Sequence, residues 1–140
     1  MGTVSKNFDY KEFEKSDTAA RLHINNVITT SLVRDNVKAL VDNVLQPLRD
    51  AWGKPLHINS GYRCMKLNEA VGGVPTSQHI MGQAADVRCS DPLALARLVK
   101  KLGLEFDQMI LYPTFVHLSY HEGRNRNKIL YNKRYKGEKV

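Results

Sequence analysis

The stretch SQHIMGQAADVR, residues 77–88, places two possible metal ligands on either side of a turn. His79 precedes Asp86 by seven positions, and Gly82 between them can turn the chain without steric cost. The small side chains of Ala84 and Ala85 would let the backbone approach a metal without bulky neighbours. Ala84-Ala85-Asp86-Val87 is also typical of a short buried strand. The stretch therefore predicts a loop and a strand that each carry one ligand.

The strongest helical pattern lies upstream, at residues 31–52, where apolar side chains recur at intervals of three and four. These apolar residues are Leu32, Val33, Val37, Leu40, Val41, Val44, Leu45, Leu48 and Trp52. Thr30 or Ser31 can cap the start of the helix, and Gly53 can end it. Pro47 should kink or divide the helix, because proline removes one hydrogen bond and crowds the preceding turn.

The other patterns predict short strands and one further helix. Residues 1–28 are typical of short helical turns and loops that pack onto a core. The remaining predicted elements are a strand at 56–60, a short helix at 65–71, a helix opened by Asp91-Pro92 and ended by Gly103, a hairpin of 106–112 with 115–120, and a last strand at 128–132. This order predicts a single α+β domain over residues 1–140, with a small, mainly antiparallel sheet packed against helices.

Composition excludes several classes of protein. A chain of 140 residues with 42% hydrophobic and 25% charged residues is typical of one globular domain, which we expect to be a monomer. No apolar run approaches the roughly 18–20 residues that span a bilayer, so no membrane insertion is expected. The N-terminal stretch MGTVSKNFDYKEFEKSD lacks the apolar segment of a signal peptide, which predicts synthesis in the cytoplasm. Cys64 and Cys89 are predicted to be reduced thiols.

The net charge of +7 favours long-range attraction to polyanions. Much of it lies in a predicted basic C-terminal tail, residues 121–140, with Arg124, Arg126, Lys128, Lys133, Arg134, Lys136 and Lys139. Nucleic acid and an anionic cell wall are both possible partners, and a merely solubilising tail is the third interpretation. No nucleic-acid partner is expected, because the sequence carries no recognisable reading motif and no interleaved aromatic residues for base stacking.

A third ligand could come from Phe115-Val116-His117-Leu118-Ser119. Strand alternation would put His117 on the face opposite Val116 and Leu118. Zinc takes about four ligands from histidine, cysteine and carboxylate, and a catalytic site leaves one position open. A single histidine on a strand is more often an ordinary side chain than a ligand, and His23, His57 and His121 are interpreted in that way.

A wider pattern connects His79, Asp86 and His117. In order along the chain it reads SGYR at 60–63, LN at 67–68, GG at 72–73, SQHIMGQAADV at 77–87, FDQ at 106–108 and FVHLSY at 115–120. This set resembles the peptidase M15 family, in particular zinc D-Ala-D-Ala carboxypeptidases and phage endolysin-type L,D-peptidases that cut the peptide stems of peptidoglycan. The resemblance covers about residues 5–120.

The resemblance implies a fold like that of the hedgehog domain and the D,D-peptidases, and a zinc ion held by His79, Asp86 and His117. It implies that Arg63 polarises the scissile carbonyl or steadies the oxyanion, which suits a guanidinium aimed at developing negative charge. Ser77 and Gln78 would shape the site or bind substrate. The implied function is a zinc metallopeptidase of cell-wall degradation, either a D,D-carboxypeptidase or an L,D-endopeptidase. A phage or prophage endolysin, released to act at the cell wall, would fit the missing signal peptide.

One part of the family pattern is missing. Members place a general base shortly before the last zinc histidine, but residues 111–116 contain neither a carboxylate nor an imidazole. Asp107 is interpreted as structural, and Tyr112, His121 and Glu122 stay open as candidates. A positioned base typically contributes about 10²–10⁴-fold to the rate. The alternative hypothesis is therefore a zinc-containing peptidoglycan-binding module with weak or no catalysis.

Overall fold

The computed structural model describes residues 2–140 as a sheet with helices packed against it. The helices are α1 (Tyr10–Glu14), α2 (Asp17–Arg21), α3 (Ser31–Leu40), α4 (Gln46–Trp52), α5 (Met65–Ala70) and α6 (Pro92–Lys101), with a π-helical turn at Val41–Leu45. The strands are β1 (Thr3–Ser5), β2 (Phe8–Asp9), β3 (His57–Ser60), β4 (Ala84–Arg88), β5 (Gln108–Leu111), β6 (Phe115–Ser119) and β7 (Lys128–Tyr131). In the described part of the chain, no helix is long and apolar enough to cross a membrane. The prediction of one α+β domain is confirmed.

The main sheet has five strands in the order β3-β4-β6-β5-β7. Every pairing in it is antiparallel except that of β5 with β7, which is parallel. The predicted hairpin of β5 and β6 is confirmed, and so is the last strand. The two-stranded sheet of β1 and β2 was not predicted, since residues 1–28 were expected to hold only helical turns and loops.

The two faces of the main sheet have different roles. Ala85, Val87, Val116 and Leu118 point from the sheet into the hydrophobic core. Since side chains alternate along a strand, their neighbours Asp86 and His117 lie on the other face. Asp86 is paired with His117 across β4 and β6. We call this second face of the sheet the site face.

The long helical segment predicted at 31–52 is interrupted before Pro47. Thr30 caps its start, as its hydroxyl accepts a hydrogen bond from the Val33 amide. At Val41–Leu45 the helix widens, so that the Gln46 amide bonds to the Val41 carbonyl, five residues back. The wider turn gives the ring of Pro47 room where a regular helix would place a carbonyl. The prediction that Pro47 kinks or divides the helix is thus confirmed, since a π-helical turn separates α3 from α4.

Gly82 is required both by its backbone conformation and by a close approach. Its φ is +74°, a backbone conformation that residues other than glycine rarely adopt. A Cβ at this position would lie 2.8 Å from the backbone oxygen of Val33, in α3. The loop that follows His79 therefore rests directly on α3. Of the two alanines beyond it, Ala85 packs in the core, so its small size serves core packing rather than approach to a metal.

We expect Gly82→Ala to lower the free energy of unfolding by about 2–4 kcal/mol. Roughly 1 kcal/mol would come from the left-handed backbone, and the rest from overlap with helix α3. Gly103→Ala is a matched control, because Gly103 has φ +68° and a Cβ added there would meet nothing within 4 Å. Urea unfolding of both variants would separate the cost of the left-handed backbone from the cost of the overlap with α3. Equal destabilisation would show that the close approach to α3 costs nothing.

The C-terminal segment 121–140 packs onto the domain. Its strand β7 extends the sheet, with Ile129 and Tyr131 packed against the core. The Tyr131 hydroxyl accepts a hydrogen bond from the Val140 amide. Of the basic residues named for this segment, Lys128 lies in β7 itself. Cys64 and Cys89 are both free, in agreement with the prediction.

Candidate metal centre

The structure brings the three predicted metal ligands together, although they lie far apart in sequence. His79 comes from the loop before β4, Asp86 from β4 and His117 from β6. One ligand atom of each lies within 4.8 Å of the other two. Asp86 Oδ1 is 2.8 Å from His117 Nδ1 and 3.5 Å from His79 Nε2. The three side chains thus direct polar atoms to a common point.

His79 is oriented by backbone groups. Its Nδ1 lies 2.6 Å from the carbonyl oxygen of Gly61. A proton on Nδ1 can bond to that oxygen, which orients the ring so that Nε2 faces Asp86. Histidine ligands of metals are commonly fixed in this way by a carbonyl acceptor. The Ser77 hydroxyl accepts a hydrogen bond from the His79 amide and so supports the same loop.

Asp86 carries a negative charge into a site that is largely closed to solvent. Its side chain is only 13% exposed, and that of His79 only 4%. Burial by itself raises the pKa of Asp86, but hydrogen bonds from His117 and His79 outweigh it and hold the pKa well below its usual range. The carboxylate is therefore ionised at neutral pH and available as an anionic ligand.

The donor set fits a zinc ion. Zinc binds imidazole nitrogen and carboxylate oxygen, and catalytic sites use three protein ligands with one open position. Two histidines and one aspartate supply three such ligands, and the ring centroids of His79 and His117 are 5.2 Å apart. The two imidazoles would otherwise both face a single carboxylate oxygen. A divalent cation would give each of the three groups a shared partner.

Arg63 lies beside this set of three side chains. Its Nη2 is 3.9 Å from Asp86 Oδ2. Its Nε donates to the Ser60 hydroxyl and its Nη1 to the Asn68 side-chain oxygen. Burial lowers the pKa of Arg63, and the charge of Asp86 opposes that shift. A guanidinium nonetheless remains protonated in proteins, so Arg63 presents a fixed positive charge.

Two residues outside the predicted site hold Arg63 in place. Asn68 is buried, accepts from Arg63, and donates to the Val74 carbonyl. A Cβ on Gly73 would overlap the Asn68 side-chain oxygen and lie 2.9 Å from Arg63 Nη1. The LN and GG motifs were visible in the sequence, but their contact with Arg63 depends on tertiary approach. Asn68 and Gly73 are therefore positioning residues that the sequence reasoning missed.

The N-terminal segment also supports Arg63. Asn26 is buried and donates to the carbonyl oxygens of Glu14 and Tyr62. Its own side-chain oxygen accepts from the Cys64 amide. The residues on both sides of Arg63 are thus tied to one asparagine.

A cleft of about 580 Å³ opens next to His117 on the site face. We call it the lateral cleft, and its polar lining is Thr76, Ser77, Gln78, Gln83, Gln108, His117, His121, Arg124 and Arg126. Both predicted substrate-binding residues, Ser77 and Gln78, lie in its wall. No carboxylate of the described residues lines it. A ligand in this cleft would contact the metal set at His117.

The candidates for a general base occupy different positions. Asp107 is fully buried and bonded to Arg126 and Gln78, which agrees with its predicted structural role. Burial raises the pKa of Tyr112, and the negative charge of Asp86 raises it further, while the positive charge of Arg63 opposes the shift. The phenol of Tyr112 is therefore protonated at neutral pH and can donate a hydrogen bond. Glu122 is exposed and outside the lateral cleft. His121 alone among the four lines that cleft.

Asp107 should make folding stability depend on acid pH. Hydrogen bonds from Arg126 lower the pKa of Asp107 to about 2, below the roughly 3.9 of an unfolded aspartate. Its contribution is therefore complete above about pH 4 and lost as the pH falls towards 2. We expect Asp107→Asn to cost about 2–3 kcal/mol at pH 6, because one partner of a buried pair is neutralised while Arg126 can still be hydrated.

Urea midpoints of wild type and Asp107→Asn at about pH 6 and about pH 2.5 would measure this effect, since these values lie above and near the titration of the folded carboxyl. The difference between the two proteins should be much smaller at the lower pH, since the carboxyl begins to be protonated there and protonated aspartate resembles asparagine. Glu138→Gln is the control, because its pair with Arg97 is exposed and such pairs contribute little. A difference between wild type and Asp107→Asn that stays constant with pH would refute the assignment.

Comparison with known proteins agrees with this geometry. The family model for peptidase M15 matches residues 6–119, which include Arg63 and all three candidate ligands. Over 62 residues the chain is 46% identical to a zinc D-Ala-D-Ala carboxypeptidase from Streptomyces albus G. That match covers 42% of this chain and 24% of the relative, so the chain spans about a quarter of the relative's length. With most of its length matched by the family model, and with a histidine-aspartate-histidine set assembled in its fold, the chain belongs to the peptidase M15 family.

Proposed function

We propose that this protein is a zinc metallopeptidase that hydrolyses an amide bond in the stem peptides of peptidoglycan. The observation that carries the proposal is the convergence of His79, Asp86 and His117 next to Arg63, within a chain of the M15 family. The name of the Streptomyces relative supports both the metal and the class of substrate.

The protein groups divide the work of hydrolysis. A zinc ion held by His79, Asp86 and His117 would supply Lewis-acid polarisation of the scissile carbonyl and make a water more acidic. Arg63 directs a fixed positive charge to the same region, where negative charge develops on the carbonyl oxygen. Because its guanidinium is held by Ser60 and Asn68, little reorganisation is needed during the reaction.

Proton transfer can be assigned to groups around the ligands. The charges of Asp86 and Arg63 act on the pKa of Tyr112 in opposite directions, and burial keeps that pKa raised. The protonated phenol can donate a hydrogen bond to a polar group of the substrate. His121 lies in the wall of the lateral cleft, and its Nδ1 is 3.2 Å from the Glu122 carbonyl oxygen. If Nδ1 donates to that oxygen, Nε2 is the atom able to accept a proton.

The proposed place of action is the cell wall. A positively charged surface attracts the anionic polymers of a bacterial wall, and the net charge is +7. A phage or prophage lysis protein is the role that we propose within this class. Both a D,D-carboxypeptidase and an L,D-endopeptidase remain compatible with the site, and identification of the cleaved bond decides between them.

The test is mass spectrometry of defined muropeptides incubated with zinc-loaded protein. We expect loss of a terminal residue for a carboxypeptidase, or two internal fragments for an endopeptidase. Protein treated with a chelator should leave the peptides intact, and restored zinc should restore cleavage. Stoichiometric zinc with intact muropeptides under all conditions would refute catalysis.

A binding module with lost catalysis is the second candidate. The observation in its favour is that no carboxylate among the described residues lines the lateral cleft, where a base could act. Such a module would retain zinc and sediment with purified peptidoglycan, but it would release no new amino groups. The same mass-spectrometric assay, run together with a sedimentation assay, distinguishes the two functions.

A further inference from the structure

The lateral cleft has two kinds of wall. One wall is built by the segment that the family model matches, including Gln78 and His117. The other is built by His121, Arg124 and Arg126, which lie after residue 119, where that match ends. The ligand-bearing wall therefore belongs to the family pattern, and the opposite wall comes from a segment outside it.

The charge of the opposite wall is positive. Arg126 is committed to Asp107, with Nε 2.7 Å from Oδ1 and Nη2 2.9 Å from Oδ2. Arg124 has no such partner: within residues 2–140 its guanidinium forms no ion pair or side-chain hydrogen bond. Since no described acidic residue lines the cleft, the charge of Arg124 is uncompensated there.

The rest of the lining provides polar groups that suit a peptide. Gln78, Gln83 and Gln108 all lie in the wall, and each amide can both donate and accept. Gln78 is fixed by its bond to Asp107, so part of this wall is preorganised. The volume of about 580 Å³ lies within the range of about 300–1,000 Å³ that is usual for small-ligand sites.

We propose that the lateral cleft binds a carboxylate of the peptide substrate close to the scissile bond, and that Arg124 supplies the ion pair. This inference rests on the proposed function, because it takes the ligand to be that substrate. Arginine suits the role, since its planar guanidinium can donate two parallel hydrogen bonds to a carboxylate. The carboxylate can be the C-terminus of a stem peptide or the free side-chain carboxylate of an acidic residue in it.

The experiment compares acid and amide forms of one synthetic stem pentapeptide that ends in D-Ala-D-Ala. One analogue has a C-terminal carboxamide, and a second has the side-chain carboxylate of its D-glutamate replaced by a carboxamide. Dissociation constants are measured by calorimetric titration of zinc-loaded protein, at times when mass spectrometry shows the peptides intact. The proteins are wild type, Arg124→Gln, Arg124→Lys and the control Arg134→Gln, which changes an exposed arginine outside the cleft.

For wild type, we expect one of the two carboxamide analogues to bind about 10–100-fold more weakly than the parent peptide, because a charge-assisted hydrogen bond is lost. That analogue identifies which carboxylate is bound. Arg124→Gln should weaken binding of the parent by a similar factor and remove the difference between parent and analogue. Arg124→Lys should restore part of the difference, and Arg134→Gln should retain all of it.

Equal binding of all three peptides to wild type, or no binding at all, would overturn the proposal. A preference that persists in Arg124→Gln would also overturn it. Failure of the proposed function can be distinguished from failure of this inference. Peptides that bind with an Arg124-dependent preference but are never cut would support the carboxylate subsite and refute the proposed hydrolysis. Peptides that are cut without such a preference would support the hydrolysis and refute the carboxylate subsite.

Discussion

His117→Ala should abolish peptide hydrolysis and stoichiometric zinc binding while leaving the fold intact. His117 is one of the three candidate ligands found among residues 2–140, and its Nδ1 lies 2.8 Å from Asp86 Oδ1. Loss of a residue that merely supports a ligand typically costs about 10–100-fold in metal affinity, so loss of the ligand should cost more than about 100-fold. Zinc content after dialysis and the rate of muropeptide cleavage are the two measurements.

His57→Ala is the matched control for this variant. His57 lies in strand β3 of the same sheet. Its side chain is exposed and does not belong to the group of candidate ligands. It should retain zinc and wild-type cleavage, and both variants should keep the circular dichroism spectrum of the wild type. Full zinc occupancy in His117→Ala would contradict the assignment of the ligands, whatever the activity.

Arg63→Ala should lower kcat by about 10²–10³-fold without loss of zinc, which is the range found when one donor to a developing oxyanion is removed. The metal should remain, because Arg63 Nη2 is 3.9 Å from Asp86 and is not itself a ligand. Steady-state kinetics on a muropeptide, with zinc content measured in parallel, separate this effect from loss of the metal.

Arg63→Lys tests whether geometry or charge matters at this position. Two side-chain oxygens hold the guanidinium, those of Ser60 and Asn68, and a single ammonium cannot reproduce both contacts in the same orientation. We expect Arg63→Lys to recover only a small part of kcat. Arg21→Ala, an exposed arginine in α2, serves as control. A change in KM alone would instead indicate that Arg63 binds ground state and transition state equally.

Local patterns were sufficient to predict the elements whose signals are contained in one segment. The apolar stripe of residues 31–52 and the cap at Thr30 depend on neighbours within a turn, and both are present in the structure, except that Leu32 at the start of the stripe is exposed. The alternation around His117 likewise predicted which face of β6 carries it. By contrast, the parallel pairing of β7 with β5 joins strands that are separated along the chain by β6 and a loop, and no local pattern specifies it.

The candidate site shows the same division. His79, Asp86 and His117 were identified by a resemblance that joined distant segments, and the fold brings their atoms within 4.8 Å. The role of Asn68 beside Arg63 could not be predicted from local sequence. The contact between these two side chains depends on the close approach of Gly73 to both of them in the folded chain. The bond of Asp107 to Arg126 joins residues 19 positions apart through a buried carboxylate, which a charge pattern alone does not reveal.

Asp107 links two parts of the molecule that lie far apart along the chain. Its carboxylate is shared between Gln78, next to a candidate ligand, and Arg126, which precedes β7. Its backbone carbonyl also accepts from the Lys128 amide. Detachment of the last strand would break these bonds and release the loop at Gln78, so both segments should exchange their amide hydrogens as one cooperative unit. Removal of the last strand is therefore expected to weaken the loop that carries His79, at one end of the candidate metal centre.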